Sequence, residues 1–453
     1  MEETKHETLT DETPVPAASG AGVHPWLVYL GSPENGFAET GMVIDLTNIR
    51  AVRFGRGGRD QIVIEKSNGV MRLKIPLGWI SSVHAELRLG SSGFDYDYEL
   101  RDLGSRNGTH LEREAIEGPQ RVRSGQIIEI GRSFWLLRSS TSRPEPIERD
   151  ALYSANPPLF DVMKRLERIA RSNIPLLFAG ETGVGKEHVA RELHQLSGRR
   201  GAFIKQNLSA LPEDRFNETL FGSPNTDGIF QRAHNGTLFF DELDALTSEQ
   251  QAKLNTALFN VPQALEHRTG LPARIVCASH LDLHKLVSKH DFRGDLFSKI
   301  AGYQARIPPL RERREDLGRL CRAFLKESGG NKIQLVTRAF RRLLIHSWPF
   351  NIRELKQTLS TAVVLSSAGG SITLDMIEEI MNRREGLPQT PESVEELRRD
   401  LMRNLANQRG DVAQVARSMN RGVAEIIRLV ERFGLHGEAP DGRDVDHTIV
   451  EAE

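Results

Sequence analysis

The sequence predicts a multidomain protein in which a β-sandwich is followed by an α/β domain with a helical lid and then by a small all-α domain. Three observations support this fold class. The chain has 453 residues, which is too many for one ordinary hydrophobic core. Short apolar runs separated by Gly, Asn and Ser clusters fill its first part, as in antiparallel sandwiches. Helical patterns then alternate with short apolar runs, as in a parallel sheet wrapped by helices.

Changes in composition divide the chain into segments. Polar, Pro-containing stretches separate the patterned regions and are predicted to be linkers. Both ends are acidic and polar, so we expect them to be disordered. The predicted segments are a tail at 1–24, a β-rich domain at 25–139, a linker at 140–152, an α/β domain at 153–381 with its lid from about 312, a linker at 382–392, a helical domain at 393–435 and a tail at 436–453.

The composition also limits location and partners. The formal net charge of -1 excludes a global basic field, so any DNA contact must be local. The two cysteines, Cys277 and Cys321, are too few for a disulfide framework and lack metal-ligand spacing, which fits a reducing compartment. There is neither an apolar run long enough to span a membrane nor the basic start of a signal peptide. We therefore expect a soluble cytoplasmic protein with no membrane partner.

A glycine-rich stretch follows the predicted strand 174–179 and opens a helical pattern, which is the context of a P-loop. Glycines let backbone N–H groups turn toward phosphates, and the helix N-terminus adds positive potential. Lys186 can reach the β- and γ-phosphates of a nucleotide. The predicted nucleotide-binding residues here are Gly180, Glu181, Thr182, Gly183, Val184, Gly185, Lys186 and Glu187.

Two acids end the apolar run LFFDE. Glu187 stands where many P-loops carry a Ser or Thr for Mg²⁺, so the metal must depend on other ligands. Asp241 is predicted to hold the hydrated Mg²⁺, and Glu242 to polarise the attacking water. The expected cofactors are ATP and Mg²⁺.

A series of motifs between about 153 and 381 resembles the AAA+ domain of sigma-54-dependent activators, also called bacterial enhancer-binding proteins. The motifs are GETGVGKE (180–187), FIKQNLSALPE (203–213), LFG (220–222), GTLFFDEL (236–243), FRGDLF (292–297), PPLRERREDL (308–317) and WPFNIREL (348–355). The resemblance implies that Asn207 is a switch residue positioning Glu242. It also implies that Arg293 is an arginine finger for the neighbouring subunit and Arg353 a nucleotide sensor in the lid. A ring of subunits follows, because such a finger acts in trans.

The sequence departs from this family at several points. Activators of this class carry a GAFTGA pore loop soon after LFG, and that loop touches sigma-54; here SPNTDGIFQRAHNGTLFFDE follows instead. The stretch 253–274, where a second pore loop is expected, is several residues short. Ser279-His280 replaces Thr-Asn, and Lys299 stands where a second arginine finger is expected. Lysine keeps the charge but lacks the planar fork of arginine.

These departures leave two interpretations open. One is a regulator that acts on transcription without remodelling sigma-54, and the other is an activator that contacts sigma-54 by another surface. We favour the first, with ATP binding as an assembly switch. ATP hydrolysis is left open, because an arginine finger can contribute about 10³ to 10⁵ in rate.

Three loop motifs in the β-rich segment resemble those of a forkhead-associated (FHA) domain, a sandwich that binds phosphothreonine peptides. They are Gly55-Arg56, Ser81-Ser-Val-His84 and Ser105-Arg-Asn-Gly-Thr109. A phosphate suits a guanidinium and a hydroxyl, and an amide can hold the peptide backbone. Arg56, Ser81 and Asn107 are the predicted phosphopeptide-binding residues, and His84 is expected to support the loop.

The N-terminal tail contains a candidate ligand for the predicted FHA domain. Thr8 stands three residues before Asp11, which resembles an acceptable phosphothreonine motif. We hypothesise that a Ser/Thr kinase marks the tail and that the FHA domain binds it within or between chains. The other interpretation is a merely solubilising tail, and the sequence favours it over the ligand.

The C-terminal patterns at 410–419 and 423–435 resemble the Fis-type helix-turn-helix that ends many such activators. The predicted DNA contacts are Arg417, Arg421, Arg428 and Arg432. Gly422 to Glu425 replace the polar and basic start that the family usually shows, and a helical dimerisation bundle remains the alternative.

Together these features predict an ATP-binding transcription regulator that reads phosphothreonine and binds DNA as a homo-oligomer, with RNA polymerase as a further partner. Two other functions stay open. One is a working sigma-54 activator ATPase, and the other is a phosphopeptide-controlled scaffold without specific DNA binding.

Overall fold

The computed structural model describes residues 23–430 of the chain with gaps at 59, 93–94, 142–144, 150–151, 224, 265–272, 331–332, 367–369, 386–400, 406–407, 409–411, 420–425 and 427–429. Residues 1–22 of the predicted tail 1–24, the whole predicted tail 436–453 and residues 386–392 of the predicted linker therefore lie outside the described residues. His24 belongs to the first strand and residues 382–385 end the last helix of the lid, so the predicted tail and linker each extend a few residues too far.

The first domain is a β-sandwich, as predicted. One sheet has the order β2-β1-β12-β11-β8-β9 and the other β10-β7-β6-β3-β5-β4. The strands are β1 (His24–Gly31), β2 (Val43–Asp45), β3 (Ala51–Arg56), β4 (Val63–Ser67), β5 (Val70–Ile75), β6 (Ala85–Ser92), β7 (Asp95–Asp102), β8 (Thr109–Leu111), β9 (Glu114–Ala115), β10 (Gln120–Val122), β11 (Ile127–Ile130) and β12 (Ser133–Ser140).

The sheet that contains β1 and β12 is buried on both faces. Leu27 and Tyr29 of β1 point into the sandwich core. Trp26, Val28 and Leu30 alternate with them and belong to a second core that also contains residues of the lid. Successive side chains of a strand point to opposite faces, so the continuous apolar run of β1 serves two cores.

The α/β domain is built on a five-stranded parallel sheet of order β16-β19-β20-β15-β21. It is preceded by a hairpin of β13 (Ile147–Arg149) and β14 (Leu152–Ser154). The further elements are α1 (Pro157–Ile169), β15 (Leu176–Ala179), α2 (Lys186–Ser197), β16 (Phe203–Asn207), α3 (Phe216–Phe221), β17 (Gly222–Ser223), β18 (Thr226–Asp227), α4 (Ile229–Arg232), β19 (Thr237–Asp241), α5 (Ser248–Ala264), β20 (Arg274–Ser279), α6 (Leu283–Ser288), α7 (Gly294–Ile300) and β21 (Tyr303–Arg306).

The hairpin of β13 and β14 occupies part of the segment predicted as the linker 140–152. Its side chains Ile147 and Leu152 are buried against α1 and the sheet. This short stretch is therefore ordered by apolar burial, although its Pro and charged residues favour a linker from sequence.

The lid consists of α8 (Leu317–Glu327), β22 (Gln334–Leu335), α9 (Thr337–Ile345), α10 (Asn351–Leu365), β23 (Ser371–Ile372) and α11 (Leu374–Glu385). Further on, residues 401–405 are helical and α12 (Val412–Ser418) follows. Leu401, Val415, Ile426 and Val430 form a small apolar cluster there. Among the described helices, none has the length and apolar content needed to cross a bilayer.

Candidate nucleotide and phosphopeptide sites

The predicted P-loop connects β15, a central strand, to α2. Gly183 and Gly185 have φ values of 78° and 97°, which glycine adopts without strain. Lys186 is the first residue of α2, and its Nζ donates to the carbonyl oxygens of Gly180 at 2.6 Å and Glu181 at 3.1 Å. Burial lowers the pKa of this amine. A buried ammonium bonded only to loop carbonyls is suited to bind phosphate oxygens instead.

The two predicted acids stand at the carboxyl end of β19. Asp241 is the last residue of that strand and lies opposite Asn207 of β16 in the parallel register. Glu242 follows with φ of 58°, in the left-handed region, and donates its N–H to Asp241 Oδ1 at 3.1 Å. Asn207, Asp241 and Glu242 are thus brought to the same edge of the sheet as the P-loop.

Ser209 links the predicted switch residue to the predicted water-polarising acid. Its hydroxyl donates to Glu242 Oε2 and lies 2.9 Å from Asn207 Oδ1, and its N–H also donates to that Oδ1 at 2.9 Å. Sequence reasoning missed Ser209. The contact between Asn207 and Glu242 is therefore made through a hydroxyl rather than directly.

A cation lies near the carboxylate of Asp241, the group predicted to hold Mg²⁺. Lys205 Nζ lies 3.5 Å from Asp241 Oδ2 and 2.7 Å from Glu187 Oε2. Glu187 also accepts a hydrogen bond from Arg191 at 2.7 Å. Its carboxylate is therefore paired with both Lys205 and Arg191. Mg²⁺ in nucleotide sites uses one or two carboxylates together with phosphates and water, so Asp241 could hold it with the nucleotide.

Three cations considered from the sequence for the nucleotide site make different contacts in the structure. They are Arg293, Lys299 and Arg353. Arg293 is half exposed and pairs with Asp295 at 2.8 Å within its own chain. Lys299 donates to the carbonyl oxygen of Asn255 at 3.1 Å. Arg353 is exposed on α10, and its charge adds to the burial that lowers the pKa of Lys186. A Cβ added to Gly183 of the P-loop would lie 3.1 Å from the Cβ of Arg353. Among these three cations, Arg353 is therefore the one that the described residues place at the P-loop of its own chain.

The lid and the turn before it contact the P-loop through hydrogen bonds and an ion pair. The lid and turn residues that make these contacts were not assigned a role from sequence. Asn351 Nδ2 donates to the carbonyl oxygen of Thr182 at 3.0 Å and to Glu181 Oε2 at 3.1 Å. Arg311 pairs with Glu181 at 2.5 Å, and this hydrogen bond lowers the pKa of that carboxyl. Buried Arg313 donates to the carbonyl oxygen of Val184. The nucleotide loop and the lid are thus held together by charged and amide groups.

Ser279 and His280, which stand where the family has Thr-Asn, form a hydrogen-bonded cluster with Asp244. Ser279 Oγ donates to Asp244 Oδ1 at 2.6 Å, and His280 Nδ1 lies 2.9 Å from Asp244 Oδ2. The hydrogen bond to Asp244 raises the pKa of the imidazole. The carbonyl oxygen of Ser279 also accepts the N–H of Gly180 at 3.3 Å, so this cluster borders the P-loop.

The predicted phosphopeptide residues converge at one end of the sandwich. The N–H of Arg56 donates to the carbonyl oxygen of Ser81 at 2.9 Å, and the guanidinium is exposed. Ser81 Oγ accepts the N–H of Arg106 at 3.1 Å. Asn107 Nδ2 donates to the carbonyl oxygen of Trp79 at 2.7 Å. Three loops therefore meet where a phosphate and its peptide could bind.

His84 holds these loops together from inside. It is fully buried; its Nδ1 accepts the N–H of Ser81 at 3.0 Å and its Nε2 lies 3.1 Å from the carbonyl oxygen of Gly108. Burial lowers the pKa of its ring, which favours the neutral imidazole that these two contacts need. Asp102, which sequence reasoning missed, accepts from Ser105 and Thr109 and fixes the third loop.

The predicted DNA contacts are largely outside the described residues. The backbone of Arg417 lies in α12. Arg421, Arg428 and Arg432 lie outside the described residues.

Comparisons with known proteins agree with this organisation. The profile described as Sigma-54 interaction domain matches residues 152–306, that described as AAA+ ATPase lid domain matches 311–414, and that described as FHA domain matches 52–131. The anaerobic nitric oxide reductase transcription regulator NorR of Salmonella newport is 33% identical over 344 residues, with 68% of each chain covered. The same regulator of Salmonella typhimurium is 32% identical with the same coverage.

Among solved structures, NtrX from Brucella abortus in complex with ATP is 24% identical, with a TM-score of 0.46 and coverage of 62% of this chain and 69% of that one. The three matched ranges follow the chain in the order FHA domain, sigma-54 interaction domain and AAA+ lid. The chain belongs to the family of sigma-54-dependent transcription regulators and combines an FHA domain with the AAA+ domain and lid of that family.

Proposed function

We propose that this protein is an ATP-binding transcription regulator of the cytoplasm that reads phosphothreonine through its FHA domain and binds DNA through a C-terminal helix-turn-helix at 393–435. The observation that carries the proposal is that Lys186, Asp241 and Glu242 lie at one edge of the sheet, next to a lid that contacts the P-loop and is itself packed on the FHA sandwich. ATP with Mg²⁺ is the proposed ligand of that pocket, with Arg353 contributed by the lid.

The proposed mode of action differs from remodelling of sigma-54. Between α3 and α4 the chain turns through the hairpin of β17 and β18. Gly222 begins this hairpin with φ of 84°, and a Cβ there would lie 2.2 Å from the carbonyl oxygen of Thr226. The helix α3 ends at Phe221 and α4 begins at Ile229, so the chain between them is too short for a long pore loop. This supports regulation through assembly and DNA binding.

In this proposal ATP controls self-assembly. Among the described residues, the guanidinium of Arg293 pairs with Asp295, and this exposed pair can be exchanged for a nucleotide in an adjacent subunit. A Ser/Thr kinase provides the phosphothreonine, either on the tail at Thr8 or on another protein. RNA polymerase holoenzyme is the proposed downstream partner, and direct contact with sigma-54 is not required.

Sedimentation velocity of the full chain tests this assembly. We expect ATP to shift the wild type to larger species and to leave Lys186→Ala unchanged, because the ammonium no longer reaches the phosphates. Binding of the same samples to the DNA upstream of the protein's own gene tests the C-terminal domain. Assembly without such binding would favour the scaffold instead.

A working sigma-54 activator ATPase is the second candidate. The observation that favours it is the cluster of Asn207, Ser209 and Glu242, which keeps an acid and its switch residue together. Open-complex formation on a sigma-54 promoter separates the candidates. ATP-dependent opening that is lost in Glu242→Gln would establish the activator, and no opening beside intact assembly would support the proposal above.

A further inference from the structure

The FHA sandwich and the AAA+ lid share one hydrophobic core. Phe340 of α9 lies between two FHA side chains, with ring centroids 4.9 Å from Phe37 and 5.1 Å from Phe134. All three are almost fully buried. A Cβ on Gly318 of α8 would meet the carbonyl oxygen of Leu30 at 1.8 Å, so helix and strand backbone touch. This contact has the density of a domain core rather than of a loose interface.

Ion pairs surround this shared core. Arg341 of α9 binds Glu129 of β11 through two hydrogen bonds of 2.6 and 2.7 Å. Arg314 binds Glu112 in the same bidentate way, at 2.9 and 3.0 Å. Bidentate guanidinium–carboxylate pairs fix orientation as well as distance. The FHA domain is therefore held on the lid in one register.

A line of contacts leads from the phosphopeptide end of the sandwich to the lid. Asn107 donates to the carbonyl oxygen of Trp79, whose ring lies 3.4 Å beneath the guanidinium of Arg132. Arg132 donates to Glu34 Oε1 at 2.9 Å, and the hydroxyl of Thr337 on α9 donates to the same oxygen at 3.0 Å. These contacts connect Asn107 to the lid through Trp79, Arg132 and Glu34.

A second line leads from the FHA domain to the P-loop. Arg138 of β12 binds Glu315 through hydrogen bonds of 2.8 and 2.7 Å. Glu315 belongs to the same turn as Arg313 and Arg314, and Arg313 donates to the carbonyl oxygen of Val184 in the P-loop. The nucleotide loop and the FHA sheet are thus joined across a single turn of chain.

We propose that the β1–β12 face of the FHA domain is an interaction surface for the lid of its own chain, and that it couples the phosphopeptide site to the nucleotide site. Binding of a phosphothreonine peptide and of ATP then change each other's affinity by the same factor, as thermodynamic linkage requires. This inference rests on the proposed function, because it takes both ligands from it.

Hydrogen exchange of the full chain tests the coupling without an identified peptide. We expect ATP to change exchange at the loops 79–84 and 104–108 in the wild type. The variant Arg132→Met with Thr337→Val should bind ATP normally and lose that change. Arg53→Met is the matched control, because Arg53 pairs with Glu86 at 2.7 Å on the other sheet of the sandwich. It should behave as the wild type.

A phosphothreonine peptide selected from a degenerate library supplies the reciprocal measurement. We expect its Kd to change by about fivefold or more when ATP is present, and the Kd of ATP to change by the same factor when the peptide is present. In the double variant this factor should fall to about one. If ATP and peptide each bind the wild type but ignore one another within about twofold, the coupling is refuted and the proposed function stands. If neither binds, both are refuted.

Discussion

The pair Arg138–Glu315 provides a quantitative test of the docked FHA domain. Glu315 is fully buried and Arg138 is one-fifth exposed, so removal of the guanidinium leaves a carboxylate in the shared interface. Among the described residues, a weak contact from Asn156 Nδ2 at 3.3 Å and the nearby charge of Arg313 then remain. Breaking a buried pair on one side costs about 3–5 kcal/mol, and the partial exposure of Arg138 reduces our expectation for Arg138→Met to about 2–4 kcal/mol.

The double variant Arg138→Met with Glu315→Met should recover much of this loss, because methionines of similar length replace the pair without leaving a charge. We expect a coupling energy of about 1.5–3 kcal/mol from the double-mutant cycle. Urea unfolding of the full chain, followed by tryptophan fluorescence, measures the change in the first transition. Arg121→Met is the control, since its pair with Asp97 is exposed on both sides and should cost less than about 1 kcal/mol.

Two results would refute this reasoning. One is a loss of less than about 1 kcal/mol for Arg138→Met, which would mean that Glu315 is solvated and the domains are not docked. The other is a double variant whose loss equals the sum of the single losses, which would mean that the two side chains do not interact.

Three further predictions concern the nucleotide site and its junction with the FHA domain. If the wild type hydrolyses ATP, as the second candidate function requires, Ser209→Ala should raise turnover about threefold to tenfold, because Glu242 loses a hydrogen bond worth about 1 kcal/mol. A fall as large as that of Glu242→Gln in a steady-state assay would contradict it. Gly183→Ala should weaken ATP binding at least about tenfold in calorimetry, since its Cβ would lie 2.3 Å from the carbonyl oxygen of Phe350; unchanged affinity in a folded variant would argue against the P-loop geometry. Burial raises the pKa of Asp316 to about 7. The folded state therefore keeps a proton on Asp316 that the unfolded chain releases. The free energy of unfolding should fall as the pH rises from about 4 to about 7. Melting temperatures of Asp316→Asn should show a flatter dependence, and an identical pH profile would exclude this carboxyl as the cause.

The nucleotide site could be predicted from sequence because its residues follow consecutive elements of a parallel sheet. The P-loop follows β15, and Asp241 ends β19, so chain order alone brings Lys186 and Asp241 to one edge. The phosphopeptide residues Arg56, Ser81 and Asn107 were predictable for a different reason, because the short loop motifs that contain them resemble those of FHA domains.

The docking of the FHA domain on the lid could not be predicted in the same way. Its charged contacts join residues far apart in sequence, such as Glu129 and Arg341, and neither residue alone indicates a partner. One signal was present in β1, where Trp26 to Leu30 are five consecutive apolar residues. Such a run indicates a strand covered on both faces rather than a half-exposed one, but the sequence does not show what covers it.

Ser209 and Asn351 illustrate a second limit. Both residues make local hydrogen bonds that depend on the backbone conformation. Asn351, for example, has a φ of 56°, and its amide donates to the P-loop carbonyl of Thr182. Their residue types are common in loops for many reasons, so their roles become visible only from the contacts they make.

The central claim is that the P-loop pocket binds ATP through Lys186, and one measurement tests it most directly. Binding of ATP and release of phosphate would be followed in the same samples of the wild type, Lys186→Ala and Glu242→Gln. We predict that the wild type binds ATP, that Lys186→Ala weakens binding about tenfold to a hundredfold, and that Glu242→Gln binds but does not turn over. Equal ATP affinity in Lys186→Ala and the wild type would contradict the account.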